Sequence, residues 1–286
     1  MKTKSIISTM MITAVAMSLS FVMSCKKDDS TKITSDNDEE ATTYADRFQE
    51  AEGISSDVDV MSDEAVEMGS VGLRGGSASD DFGVLSCATV TNDTVAQTTT
   101  IDFGTGCTGS HGHTRSGQII IHHNGLHYFD TGYERIVTFN NYYVDSRHVE
   151  GTRTITNNGV NTGGHMNWTI NAQNMRITKP NGNYHEWNSL RNREMVAGDT
   201  AVFDPGTITY SITGNASGVN SNGVTCTLSI TNPLIKPGSC FFRIVSGTIV
   251  ITPSNRPQLT VDYGAGTCDD IATVTRNGVT HIIHIH

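Results

Sequence analysis

The chain has 286 residues and a formal net charge of −10. Only 17% of its residues are charged, against roughly 25% in an average soluble domain, and Thr, Ser, Asn and Gly fill the gap. No cationic surface is available to neutralise phosphates, which excludes a basic nucleic-acid binder. The glycines follow no triplet period, which excludes a collagen, and the Thr and Asn content excludes a long-helix protein.

The first segment reads as an address. Lys2 and Lys4 precede an uncharged apolar stretch from Ile6 to Val22, which runs into Val22-Met23-Ser24-Cys25. The stretch is short and rich in Ser and Thr for a membrane span and fits a secretory signal over residues 1–24. Its end resembles the lipobox of bacterial lipoproteins. That resemblance implies cleavage before Cys25 and lipid modification of Cys25, with several acyl chains giving stable anchoring where one would bind marginally. The following Cys25-Lys26-Lys27-Asp28-Asp29 resembles the export signal of surface-exposed lipoproteins of the Bacteroidota. It implies display on the outer face of the outer membrane, with the membrane as a partner through the lipid.

Residues 25–83 read as a lipidated N-terminus and an acidic tether. Lys26 to Gly83 holds 16 acids and 5 bases, a net of −11. Val84 to His286 holds 13 acids and 12 bases, a net of −1. The acidic segment has few aromatics and no strand pattern, so it is expected to be disordered or partly helical. Transient helices are expected over Asp38 to Glu52 and Ser55 to Glu67, with Ser62 and Asp63 as caps. Arg74-Gly75-Gly76-Ser77-Ala78-Ser79 reads as a flexible joint. The tether would act as a self-repelling spacer.

Residues 84–286 read as one all-β domain. Met166, Trp168, Ile170 and Ala172 alternate with Asn167, Thr169, Asn171 and Gln173. Ile208, Tyr210 and Ile212 alternate with Thr and Ser, as do Val224, Cys226, Leu228 and Ile230. Period-2 alternation of this kind marks half-buried strands. Asn-Gly pairs begin at Asn124, Asn158, Asn181, Asn222 and Asn277, and Asn-Gly suits a type I′ hairpin turn. An antiparallel meander follows, forming a sandwich or a curved barrel-like sheet. A weak internal repeat, Ile101-Asp102-Phe103-Gly104-Thr105-Gly106-Cys107 and Val261-Asp262-Tyr263-Gly264-Ala265-Gly266-Thr267-Cys268, suggests two pseudo-repeated halves. Each repeat follows an earlier cysteine, which pairs Cys87 with Cys107 and Cys240 with Cys268 in an oxidising compartment. Cys226 is left as a small core hydrophobe. Asp102 and Asp262 are expected to cap their turns through their carboxylates.

Motifs for chemistry are sparse. Gly104-Thr105-Gly106-Cys107-Thr108-Gly109 spells a dinucleotide fingerprint, but no helix pattern follows, so it reads as a turn. All eleven histidines lie after Val84. His111, His113, His284 and His286 are the candidate metal ligands, because imidazoles suit Zn²⁺ or Cu²⁺. Glu134, Glu150, Glu186 and Glu194 are the carboxylates from which a glycoside hydrolase would draw its pair. Tyr184, Glu186 and Trp187 combine aromatic and polar groups as sugar stacking does. Asp93-Thr94-Val95 and Asp199-Thr200-Ala201 resemble the short O-glycosylation sequon of the Bacteroidota. The reading favoured is a non-enzymatic surface lipoprotein with no cofactor, whose β domain binds a glycan or a surface protein, or serves envelope architecture. A carbohydrate-active hydrolase and a metal-capturing lipoprotein are the alternatives.

Overall fold

The computed structural model describes residues 30–70, 85–109, 112–198 and 205–285. The signal, Cys25 and its charged flank, the Arg74–Ser79 joint, Asp199-Thr200-Ala201, His111 and His286 lie outside these residues. Helix α1 (Ser30–Ser70) precedes fourteen strands. They are β1 (Thr89–Asp93), β2 (Thr98–Asp102), the short β3 (Cys107–Thr108), β4 (Thr114–His123), β5 (Glu134–Val144), β6 (Arg147–Val160) and β7 (Met166–Thr178). Then come β8 (Tyr184–Ala197), β9 (Thr209–Asn220), β10 (Thr225–Pro237), β11 (Ser246–Pro253), β12 (Leu259–Ala265), β13 (Ile271–Arg276) and β14 (Val279–His284). They form one antiparallel meander in chain order, with β3 beside the start of β4. Among the described residues the protein is all-β around one α-helix, and its sheet is a curled one rather than a sandwich.

Among the described residues the sheet does not close on itself, because β1 and β14 pair only with their inner neighbours. Helix α1 touches β1 and β2 at one edge and β13 and β14 at the other. The sheet therefore curls around the helix, and the helix spans the seam. Strand glycines permit the curl. Gly151 and Gly214 have φ of 119° and 127°, a region closed to most L-residues. A Cβ on Gly214 would lie 2.3 Å from the Leu190 carbonyl oxygen, and one on Gly151 would lie 2.6 Å from the Met175 Cα. Register shifts accompany the crowded positions, between Glu150 and Thr152 and between Ala172 and Met175. Such bulges bend a strand and increase its twist.

Inner and outer faces follow the alternation. Ile119, Ile121, Val137, Ile155, Trp168, Ile177, Leu234, Ile249 and Val261 are buried inside. Thr154, Asn171, Leu190, Asn215, Ser229, Val250, Thr260 and Thr275 form one outward row across β6 to β13. Six of these eight are polar, so the row differs from the apolar band of a membrane barrel. Among the described residues no helix is long and apolar enough to cross a membrane.

The acidic segment differs most from its sequence reading. It forms one helix through Gly53, and Tyr44, Ala45, Phe48, Ala51, Val58, Met61 and Ala65 join the same core as the strands. Ser62 and Asp63 lie inside the helix rather than capping one. The physical reason is on the sheet: cations inside the curl offer the acids better partners than solvent does.

Turn and disulfide expectations fare better. Asn277 and Gly278 both have positive φ, 51° and 80°, and turn β13 into β14. Asn181-Gly182 and Asn222-Gly223 also sit in connections, whereas Asn158-Gly159 lies within β6 at a register shift. Both disulfides, Cys87–Cys107 and Cys240–Cys268, are present. The Asp102 and Asp262 carboxylates accept from Gly104 N and Gly264 N at 2.7 and 2.8 Å. The repeat is confined to two matching hairpins, β1–β2 and β11–β12, with the long strands β5 to β10 between them.

Candidate functional site

The interior is built from opposite charges. Alternation points Arg115, Arg135, Arg153, Arg193 and Lys236 inward, and all five are buried. Buried charges persist only when paired. Arg115 grips Asp57 through two nitrogens, at 2.6 and 3.0 Å. Asp59 lies 3.0 Å from Arg153 and 3.5 Å from Arg193. Arg135 pairs with Asp63, Arg191 with Glu52 and Arg147 with Glu50. Lys236 approaches Glu52 at 3.4 Å, and Lys179 approaches Glu50 at 3.2 Å.

Burial pushes the Asp59 and Glu52 carboxyls up. The guanidiniums of Arg153 and Arg193 at Asp59, and Arg191 with Lys236 at Glu52, outweigh it and leave both below their ordinary values. At Asp63 burial prevails over Arg135, and the carboxyl sits above its ordinary value.

Arg193 is further enclosed by rings. Its guanidinium carbon lies 4.7 Å from the Tyr210 centroid, 5.6 Å from Trp168 and 5.9 Å from Tyr128. Its Nη2 donates to Tyr128 Oη at 2.8 Å. A desolvated cation over aromatic faces is worth about 2 kcal/mol or more. None of these inward cations was singled out by the sequence reading. The signal was their phase: each shares the face of nearby Ile, Val or Met residues.

The outer face carries most of the candidate site residues. Glu150 pairs across to Arg176, and Arg176 to Glu186. The Arg176 guanidinium lies 3.8 Å over the Tyr184 ring, and Tyr143 stacks on His148 at 4.6 Å. Beside this row lies a depression of about 430 Å³, lined by polar Glu186, Asn188, Ser217, Thr227 and Thr252 and by Val219, Cys226 and Pro253. Register places Asn188, Ser217, Thr227 and Thr252 in one line across β8 to β11. These side chains are short; Ser217, Thr227 and Thr252 present hydroxyls to solvent, whereas Asn188 Oδ1 accepts from Asn174 N at 2.8 Å.

The trio Tyr184, Glu186 and Trp187 is divided by the pleat. Tyr184 and Glu186 face outward, whereas Trp187 packs against the core. The four glutamates do not converge. Glu134 accepts from Thr156, Glu150 lies beside His148, Glu186 beside Arg176, and Glu194 holds Asn161 and His165. Glu150 and Glu186 are two strands apart, about 10 Å by strand spacing, with Arg176 between them.

Histidines are spread along the rim. His113 and His284 border one cleft of about 720 Å³ beside α1. Each Nδ1 meets an aspartate, Asp145 at 2.7 Å and Asp270 at 2.9 Å. Among the described residues no three His, Cys, Asp or Glu side chains gather as a metal site would require. Cys226 is a free thiol packed against the core, and burial pushes its pKa up. Gly104-Thr105-Gly106 leads into strand β3, not a helix.

No protein-family model, curated protein or solved structure matches the chain.

Proposed function

We propose that the protein is a lipid-anchored outer-membrane protein displayed at the cell surface, whose folded body is a non-enzymatic binding or envelope-structural module with a glycan as ligand. The observation that carries the glycan reading is the outer depression over β8 to β11. Its Ser and Thr hydroxyls can bond a sugar's hydroxyls while Val219 and Pro253 meet its C–H faces. The dispersal of the four glutamates favours binding over hydrolysis, because a glycosidase needs two carboxyls facing one bond. The interior, where a barrel-like sheet would hold a ligand, is filled by the chain's own helix.

A glycan array probed with the whole mature chain tests this reading. Binding is expected, and Thr227→Val, which removes an exposed hydroxyl from the depression, should weaken it roughly tenfold, the worth of one hydrogen bond, without changing the melting temperature. Silence across an array of host and bacterial polysaccharides would remove the glycan. Protease shaving of intact cells tests display separately, and survival of the protein would place it on an inner face. Loss of lipid labelling in Cys25→Ala tests the anchor.

A further inference from the structure

On the inner side of the same strands, α1 and β8 to β11 enclose an apolar cavity of about 100 Å³. Phe48 forms the helix wall, Trp187 and Cys226 the strand wall. The space exists because β9 carries short residues here, Ala216 and Gly218. A Cβ on Gly218 would lie 2.4 Å from the Glu186 carbonyl oxygen, so this strand approaches its neighbour closely and leaves room on the helix side.

The cavity's exposed wall is mostly apolar, although Arg47, Glu52, His185, Glu186 and Arg191 are among the residues that line it. His185 stacks on Trp187 at 5.3 Å, and its Nε2 finds no hydrogen-bond partner among the described residues. Burial pushes its pKa down to about 4, so the ring is neutral at ordinary pH and the cavity keeps its apolar character. Arg47 lines the same cavity. Its guanidinium lies 5.5 Å from the Tyr44 ring centroid, and it is close enough to shift both His185 and Cys226. Glu52 also lines the cavity but is neutralised by Arg191 and Lys236, and the neighbouring Glu50 is taken by Arg147 and Lys179. Arg47 therefore supplies a positive charge beside an apolar hole.

We infer that this cavity binds a short straight-chain carboxylic acid, its alkyl chain against Phe48, Trp187 and Cys226 and its carboxylate at Arg47. An apolar pocket with a few convergent polar groups is the usual form of a small-molecule site. The cavity has about two thirds of the roughly 150 Å³ of an apolar cavity that holds six-carbon benzene, so it suits an alkyl chain of about four carbons, with any longer chain emerging at the mouth. Affinity should rise about fourfold for each added methylene, the value of burying one CH₂, and level off once the cavity is full.

The test uses the mature chain with both disulfides intact. Alkylation of Cys226 by iodoacetamide and the His185 ring resonances are followed while butanoate, pentanoate, hexanoate and octanoate are added. Hexanoate at ten times its Kd should slow alkylation roughly tenfold and shift the His185 signals. Hexan-1-ol should protect less well than hexanoate. Arg47→Gln, a change near the cavity mouth, should erase that difference while leaving the effect of hexan-1-ol intact. Ala216→Leu, which fills the hole, should abolish protection by all of them. Unchanged alkylation and unchanged His185 signals with every acid at tens of millimolar would overturn the inference. Equal protection by hexan-1-ol and hexanoate in the wild-type chain would overturn the role of Arg47.

Discussion

Asp59 shows how much one side chain carries. It faces two buried guanidiniums, Arg153 and Arg193, and the second is walled by Tyr128, Trp168 and Tyr210. Asp59→Asn removes the charge and keeps the volume, leaving both cations unbalanced. Breaking a buried pair in this way costs about 3–5 kcal/mol, so the urea midpoint should fall steeply, while the exposed Asp93→Asn should leave it nearly unchanged. The same pairs set the acid response. Asp59 and Glu52 have pKa values lowered in the folded state. Their contribution is present above the ordinary carboxylate range and is lost as pH falls through their folded values. Asp63 and Glu64 are raised by burial, and their contribution runs the other way, declining as pH rises through the range between their unfolded and folded values. Urea titrations from pH 7 down to pH 2 should show a net loss of stability at the acid end, and that loss should be smaller in Asp59→Asn.

At the scale of elements, the helix is part of the core and not an accessory. A chain beginning at Val84 keeps every strand but exposes Arg115, Arg135, Arg153 and Arg193 to one another without carboxylates. It should lack near-ultraviolet circular dichroism and bind hydrophobic dyes, and a peptide of residues 30–70 added in trans should restore the native signal. If the truncated chain folds cooperatively by itself, the helix has been given too large a role. Strand glycines and the two staples define the sheet's ends and bends. Gly214→Ala should cost at least about 1 kcal/mol, because its φ suits few L-residues and its Cβ would meet backbone. Opening Cys87–Cys107 or Cys240–Cys268, loops of 20 and 28 residues, should cost about 3–4 kcal/mol each, read from melting of the Cys→Ala pairs.

The strands were legible because Ile, Val and Trp alternate with Thr and Asn, and the staples because each repeat carries its own cysteine pair. The helix was harder. Its buried positions Ala45, Phe48, Ala51, Ser55, Val58, Ser62 and Ala65 do recur at helical spacing, but five of them are Ala or Ser beside a run of acids, and that mixture reads as solvated linker. Inward arginines hide for the opposite reason, since a cation in a strand is ordinarily taken to face water. The outer depression was only partly legible: Glu186 was named, whereas Asn188, Ser217, Thr227 and Thr252 come together only through register across four strands.

For the molecule as a whole, charge balance is internal. The acidic and nearly neutral segments of the sequence are two halves of one ion-paired interior, so net charge says little about partners. The same fact constrains time. Gln49 bonds to Tyr263, 214 positions along the chain, and Glu52 meets Lys236, 184 positions along. Contacts of such long sequence separation make folding slow, on the order of milliseconds to seconds. Helix α1 precedes every described strand and leaves the ribosome before them, yet its partners include some of the last to follow. Amide protection of α1 and of β5 to β8 should appear together in a pulse-labelled refolding reaction, and protection of the helix well ahead of the sheet would contradict this order. A nascent chain of this protein therefore stays loose until nearly all of it has emerged, a state suited to passage through a narrow pore and open, for as long as it lasts, to proteases and chaperones on either side.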